Sequence, residues 1–339
     1  MKVLLSSCRN PDFMTITEYM ERAFRSSGCQ LHFFDNRAFL LPGRLRSRVP
    51  CLNAFDLKRM NKKLMSAAAS CKPDLYLELG GDRILPETVE HIRNRGTKTA
   101  LWTIDAPLNF DLILKAAPSY DYVFTGGSEA YDLLKDKGIK DLSWLPFACD
   151  PDIHKPQTLT EDEMKRYGAD VSFVGTLDPH LYYYRNKVLE AVSDFDLALW
   201  GPGGDALPAG SPLSPLIRGD KTSPAIWSKI YSASKVVLCV HYKDEQGEIP
   251  CHQASPRVYE ALACGAFLIV NAQKDVMALF KEGEDLVVFR DLTELRDLIS
   301  YYLNNPEERH RIAECGMRTV RNKHTYIHRM THILKVLCQ

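Results

Sequence analysis

The 339-residue sequence predicts an α/β protein of two Rossmann-like, doubly wound domains, and three observations point there. Short apolar runs alternate with amphipathic stretches long enough for a helix, the spacing of βαβ crossovers and mainly parallel sheets. The alternation stops at a segment carrying three prolines, 146–156, where neither a helix nor a central strand continues, and then restarts. At about 150 residues per domain, the length accommodates two domains.

In the first half, strands are expected over 2–6, 31–34, 75–79, 99–103, 122–124 and 142–145. Helices are expected over 15–27, 56–70, 86–95 and 129–137. Gly28, Gly96 and Gly138 stop three of these helices, and Asp56 is the expected cap of the second. Beyond the proline segment, strands are expected over 170–174, 196–200, 235–240, 266–270 and 286–289. Helices are expected over 184–192, 223–232, 256–263, 275–281, 292–303, 306–323 and 325–337. The domains are therefore 1–150 and 157–323, with 324–339 as a terminal helix. Its apolar face carries Ile327, Met330, Ile333, Leu334 and Leu337. Two such domains present the carboxyl ends of their strands to a shared cleft, where ligands of doubly wound folds bind.

Lys plus Arg and Asp plus Glu both total 43, which argues against a protein whose affinity comes from a broad basic face. Ten cysteines are present without a C-x-x-C pair, and several sit in apolar runs. They read as reduced, mostly buried thiols in a reducing compartment. The opening MKVLLSSC has too short an apolar core for a secretion signal and reads as the first strand. No run reaches the roughly 18 apolar residues of a membrane span, so the expected location is cytoplasmic, without membrane insertion.

The most informative segment is 255–266, SPRVYEALACGA. Ser255 is a good N-cap, and Pro256 suits the first helical position because its missing N–H costs nothing there. The free amides and the positive dipole end favour an anion, to which Arg257 adds a full charge. Glu260, one turn in, either accepts two hydrogen bonds from a ribose cis-diol or pairs with Arg257 at i,i+3.

Other candidates stand at strand ends. Asp105 follows the strand 99–103 and suits a catalytic base or an acceptor-orienting group. Asp82, behind Gly80 and Gly81, follows the strand 75–79, and those glycines let backbone approach a ligand or form a plain turn. His241 follows the strand 235–240 and is a second catalytic candidate, where it touches the donor or faces solvent. Gly201 opens a glycine- and proline-rich loop that is neither a P-loop nor a dinucleotide fingerprint. Cys251-His252 lacks a second ligand pair for a metal, and Asp150-Pro151-Asp152 reads as a turn. Tyr182, Tyr183 and Tyr184 either stack on a ligand or line an edge.

The 255–266 segment resembles the spore-maturation-protein (CgeB-type) family of GT-B glycosyltransferases, relatives of the glycogen-synthase-like transferases. So do the segment DLTEL at 291–295, the tail HTYIHR at 324–329, VSFVGT at 171–176, LPFACDP at 145–151 and LWTIDAP at 101–107. The resemblance implies the GT-B fold, a terminal helix crossing back to the first domain, and a nucleoside-diphosphate sugar held by the second domain, most often UDP-linked. It implies no metal cofactor and an acceptor held by the first domain, on the side of Asp82 and Gly81. That acceptor is a protein, a glycan or a modified nucleic acid, and an oligomer is compatible with the fold.

Carried over residue by residue, Glu260 matches the ribose-gripping glutamate. Arg257 and the amides around it, from Ser255 and Pro256 to Val258, match the diphosphate position. Gly175 lies in the glycine turn that approaches the phosphates, and Arg185 is a phosphate partner. Retaining relatives carry a further glutamate eight residues before Glu260, where this sequence has His252. Either Glu248 takes its place or the carboxylate is missing, so retention and inversion both stay open. An epimerase or hydrolase acting on a nucleotide sugar, or an inactive binding scaffold, are the alternatives to a transferase.

Overall fold

The computed structural model describes residues 1–104, 109–220, 223–244 and 250–337. The chain divides into two compact units: Met1–Pro146 together with Arg329–Gln339, and Phe147–His328.

In the first unit the elements follow in the order β1 (Lys2–Ser7), α1 (Ile16–Ser26), β2 (Gln30–Asp35), α2 (Gly43–Arg48), α3 (Pro50–Cys71), β3 (Leu75–Leu79) and α4 (Pro86–Arg93). They continue with β4 (Lys98–Thr103), α5 (Phe110–Ala116), β5 (Tyr122–Thr125), α6 (Ser128–Asp136) and β6 (Leu142–Trp144). The six strands form one parallel sheet in the order β2-β1-β3-β4-β5-β6. Crossover helices cover its faces, so β3 is buried along its whole length and reads as a continuous apolar run around Glu78. Leu4, Tyr76, Leu101 and Val123 from the sheet pack against Met60 and Leu64 of α3 and Val89 and Ile92 of α4.

The second unit contains α7 (Glu161–Tyr167), β7 (Ala169–Val174), α8 (Tyr183–Glu190), β8 (Leu197–Trp200), β9 (Ile217–Gly219), α9 (Pro224–Ala233), β10 (Ser234–Cys239) and α10 (Pro256–Ala263). It continues with β11 (Leu268–Asn271), α11 (Lys274–Leu279), β12 (Val287–Phe289), α12 (Leu292–Asn304) and α13 (Pro306–Lys323). Its parallel sheet runs β12-β11-β10-β7-β8-β9. The last helix, α14 (Tyr326–Leu337), starts in the second unit, and its residues from Arg329 onward belong to the first. There Arg329 Nε donates to Pro146 O at 2.7 Å, and the His332 ring meets Phe124 edge-on.

Some expectations are corrected. The helix expected from 56 begins at Pro50, and Asp56 lies buried inside it instead of capping it. Its carboxylate accepts from the backbone N–H groups of Leu40 at 3.0 Å and Leu41 at 2.8 Å, so it caps a distant loop. The short elements α2, α5, α7 and β9 were not expected, because three to seven residues carry too little periodicity to read. Of the nine described cysteines only Cys149, Cys239 and Cys264 are buried, and all nine are free thiols.

Candidate functional site

In the second unit the strand order reverses between β7 and β10, which lie side by side in parallel. At such a reversal the connections leave toward opposite faces and open a crevice at the strand carboxyl ends. The connection after β7 starts at Gly175, whose N–H is held by Trp200 O at 2.8 Å. A Cβ on Gly175 would come within 3.1 Å of Arg257 Cζ, so only glycine lets that guanidinium lie across the turn. Gly201, after β8, has φ +136°, and a side chain there would strike the Gly175 carbonyl. Two glycine turns are thus stacked backbone on backbone.

Arg185 bridges the crevice. Its Nη1 donates to Thr176 O at 2.7 Å on the β7 side, and its Nε donates to Val240 O at 3.2 Å on the β10 side. Tyr182 stacks under the guanidinium at 3.7 Å from the ring centroid, which gives the first residue of the tyrosine run a protein partner. Burial, and after it the neighbouring Arg257 charge, pulls Arg185 down to about 9. Arg257 is half-buried and donates to Ser255 Oγ at 3.4 Å. Among the described residues no carboxylate comes within ion-pair distance of either guanidinium. Two adjacent cations without a counter-charge are costly unless an anion completes the site.

The mouth of α10 is braced from the strands. The His241 backbone N–H donates to Asn271 Oδ1 at 2.8 Å, which fixes that amide oxygen as the acceptor for His241 Nδ1 at 3.0 Å. The ring therefore carries its proton on Nδ1, and Nε2 accepts from the Ser255 N–H at 3.0 Å. Burial lowers His241 to about 4 and keeps it neutral. With both nitrogens engaged inside the protein, neither is left for a reacting group, unlike the catalytic role the sequence suggested.

Ser255 stands at the N-cap, but its hydroxyl accepts from Arg257 instead of capping the helix. Pro256 fills the first helical position as expected from its chemistry. Val258 is drawn inward: its side chain is fully buried, and its N–H is bonded to Ser255 O at 3.0 Å. The helical period that turns Arg257 outward turns Val258 toward the core.

Glu260 is 8 % exposed, and burial pushes its carboxyl up to about 7 against the pull of the Arg257 charge. It makes no ion pair with Arg257. The His154 Nε2 stands 4.0 Å from its Oε1. His154 Nδ1 accepts from the Asp150 N–H at 3.1 Å, and burial lowers the ring to about 4, so a neutral imidazole faces the glutamate. Among the described residues no hydrogen bond reaches the Glu260 carboxylate. His154, Asn271 and the Arg185–Tyr182 stack were missed from sequence. Asn271, a polar residue ending an apolar strand, was the one available signal.

Where a second glutamate was sought, the backbone is tied to α11 instead. His252 O accepts from the Asp275 N–H at 3.2 Å, and Cys251 O accepts from Gln273 Nε2 at 2.6 Å. Glu248 and Asp105 lie outside the described residues. Asp150 forms a turn, its Oδ1 accepting from the Asp152 N–H at 3.0 Å. In the first unit, Gly80 and Gly81 have φ +123° and +104° and turn the chain after β3, and Asp82 pairs with Arg83 at 3.0 Å.

Residues 185–335 match a family model described as glycosyl transferase-like. No curated protein matches the chain in sequence. Among solved structures, the chain is similar to sucrose-phosphate synthase from Thermosynechococcus elongatus, with a TM-score of 0.74, 12 % identity and 99 % of each chain covered. It is also similar to Anabaena HepE solved with UDP, with a TM-score of 0.65, 12 % identity and 100 % of each chain covered. A third similar structure is a trehalose 6-phosphate synthase from Burkholderia multivorans, with a TM-score of 0.66, 13 % identity, and 99 % of this chain and 98 % of that one covered. The architecture is thus the GT-B fold, and the match to the glycosyl transferase-like model falls on residues 185–335.

Proposed function

We propose that this chain is a Leloir-type glycosyltransferase of the spore-maturation (CgeB-type) branch, which takes its sugar from a nucleoside-diphosphate sugar. The observation that carries this reading is the pair of guanidinium groups, Arg185 and Arg257, converging at the strand reversal of the second unit without a carboxylate in ion-pair distance among the described residues. A diphosphate supplies the missing negative charge, and the fork of Arg257 suits two of its oxygens. Glu260, buried one helical turn away, accepts from the ribose hydroxyls. As the sugar leaves, negative charge grows on the diphosphate, and the two arginines, fixed in advance, stabilise it. The positive charge comes from the protein, so the reading requires no metal. HepE was solved with UDP and with UDP-glucose, which favours a UDP-linked donor here.

His241 acts as a positioning residue that holds the Ser255 amide and thereby Arg257. Gly175 and Gly201 keep the phosphate turn open. The acceptor, a glycan, protein or modified nucleic acid, is assigned to the first unit near Asp82 and Gly81. Asp105 takes the acceptor proton in an inverting transfer or orients the acceptor in a retaining one. The protein works in the cytoplasm.

A thermal-shift panel of UDP, GDP, CDP, TDP and their sugars tests the donor site, because a ligand bound to the native state raises the melting temperature by mass action. UDP and a UDP-sugar are expected to raise it in the wild type and not in Arg257→Ala; no shift with any nucleotide overturns the reading. UDP release only with acceptor present marks a transferase, release without one marks a hydrolase, and binding without release marks a scaffold. Asp105→Asn is expected to lose turnover while keeping donor affinity.

A further inference from the structure

Residues 37–63 carry eight basic side chains and one acidic side chain, in a protein whose formal charge is zero. The acid is occupied. Besides the Leu40 and Leu41 amides, Asp56 accepts from Arg59 Nε at 3.1 Å, with Arg46 Nε 3.8 Å away. Arg59 also reaches Ala38 O at 3.3 Å, and Arg46 reaches Leu41 O at 3.2 Å while stacking on Phe39. These bonds tie the loop before α2, α2 itself and the start of α3 into one block.

The outer surface of that block is cationic and apolar. Arg37, Arg44, Arg48, Lys58, Lys62 and Lys63 are exposed. Among them Leu40, Leu45 and Phe55 stand 63 %, 49 % and 58 % exposed. On α3, Phe55, Lys58 and Lys62 follow the i, i+3, i+7 spacing of one stripe, opposite the buried Met60 and Leu64. Single exposed apolar residues are ordinary, but three of them set among six cations that form no ion pair among the described residues make a combined surface.

We infer that this block docks on an anionic lipid bilayer. Leu40, Leu45 and Phe55 enter the boundary between headgroups and acyl chains, and the cations lie at the level of the lipid phosphates. Arginine and lysine stems suit that depth, since they cover apolar surface while keeping their charge in the polar layer. A nucleic acid would reward the cations but offers nothing to Leu40 and Leu45. No described helix is long and apolar enough to cross a membrane, so the association is peripheral. Every residue involved belongs to the first unit, whereas the donor site is assigned to the second.

Co-sedimentation of the full chain with vesicles tests this, using phosphatidylcholine alone and phosphatidylcholine mixed with phosphatidylserine. Binding is expected only to the mixed vesicles and should weaken as salt rises. Lys58→Glu/Lys62→Glu/Lys63→Glu should lower partitioning by about a hundredfold. Leu40→Ser/Leu45→Ser/Phe55→Ser, which keeps every charge, should lower it by about tenfold or more. Both variants should keep the wild-type melting temperature and its shift with UDP. Absence of binding to the mixed vesicles overturns the proposal. So does wild-type partitioning of the serine variant, or tighter binding to a single-stranded oligonucleotide than to the mixed vesicles.

Discussion

The two sheets reverse their strand order at different places, between β1 and β3 in the first unit and between β7 and β10 in the second, and the two reversals are equipped differently. In the second unit, glycine turns make room for Arg257, and Arg185 spans the gap, with no carboxylate among the described residues to neutralise either. In the first unit, the turn after β3 carries Asp82 paired with Arg83, so its charge is already balanced. Each unit also buries a glutamate pushed up to about 7. For Glu78 burial is the main cause, the Tyr120 hydroxyl lowers it, and the Asp82 charge raises it further. The Glu78 Oε2 accepts from the Tyr76 hydroxyl at 3.4 Å and from the Tyr120 hydroxyl, whereas among the described residues no hydrogen bond reaches the Glu260 carboxylate, which faces a neutral imidazole at 4.0 Å. The same shift therefore has two meanings. Perturbation alone does not mark a site; an unmet hydrogen-bonding group beside unmet charge does.

Several measurements would sharpen or break this contrast. The largest effect is expected from Arg257→Ala, which should weaken UDP binding by about a hundredfold in calorimetry, because it removes two charge-assisted hydrogen bonds. Arg83→Ala, at the balanced turn, should leave that affinity within about twofold. Equal losses in the two variants would erase the difference between the reversals.

Glu260→Ala comes next, with an expected loss of about tenfold in UDP affinity and an intact fold. Glu78→Ala should behave in the opposite way. It should cost about 2–3 kcal/mol of stability in denaturant melts, by opening space under the sheet and stranding two tyrosine hydroxyls, with nucleotide affinity unchanged.

A smaller effect is expected from His241→Gln. A positioning role predicts a donor KM raised severalfold with kcat and its pH profile nearly kept; a lost limb of the pH profile would restore His241 as a proton carrier.

The pH dependence of Glu260 has a definite sign. Its folded pKa, about 7, exceeds the ordinary 4.5, so between those values the folded state holds more protons than the unfolded one, and its contribution falls as pH rises. The stability gap between Glu260→Gln and the wild type should therefore move in favour of the glutamine variant from about pH 4.5 to 7 and stay flat above it. His154 and His241, lowered to about 4, contribute the opposite slope below their ordinary 6.5.

Much of this was legible in the residues. The helix Pro256–Ala263 is found with the bounds its sequence announces, and α13 likewise, because a proline at the first turn and a glycine or polar stop are local signals. The parallel sheets follow from apolar runs that leave no polar face. Asp56 shows where that reading fails: a helix-starting residue type sits mid-helix because two amides of a loop some 15 residues earlier need an acceptor. Val258 was read together with its neighbours, and only packing showed that it turns inward.

By itself the sequence determined the alternation of strand and helix, the punctuation of the elements and the chemistry available at the mouth of α10, since each depends on residues a few positions apart. The tertiary structure alone decided which strands adjoin, that Arg185 and Arg257 share a turn, which nitrogen of His241 carries the proton, and that His154 faces Glu260. Hydrogen bonds and charges act through space, and the partners that set them are distant in the chain.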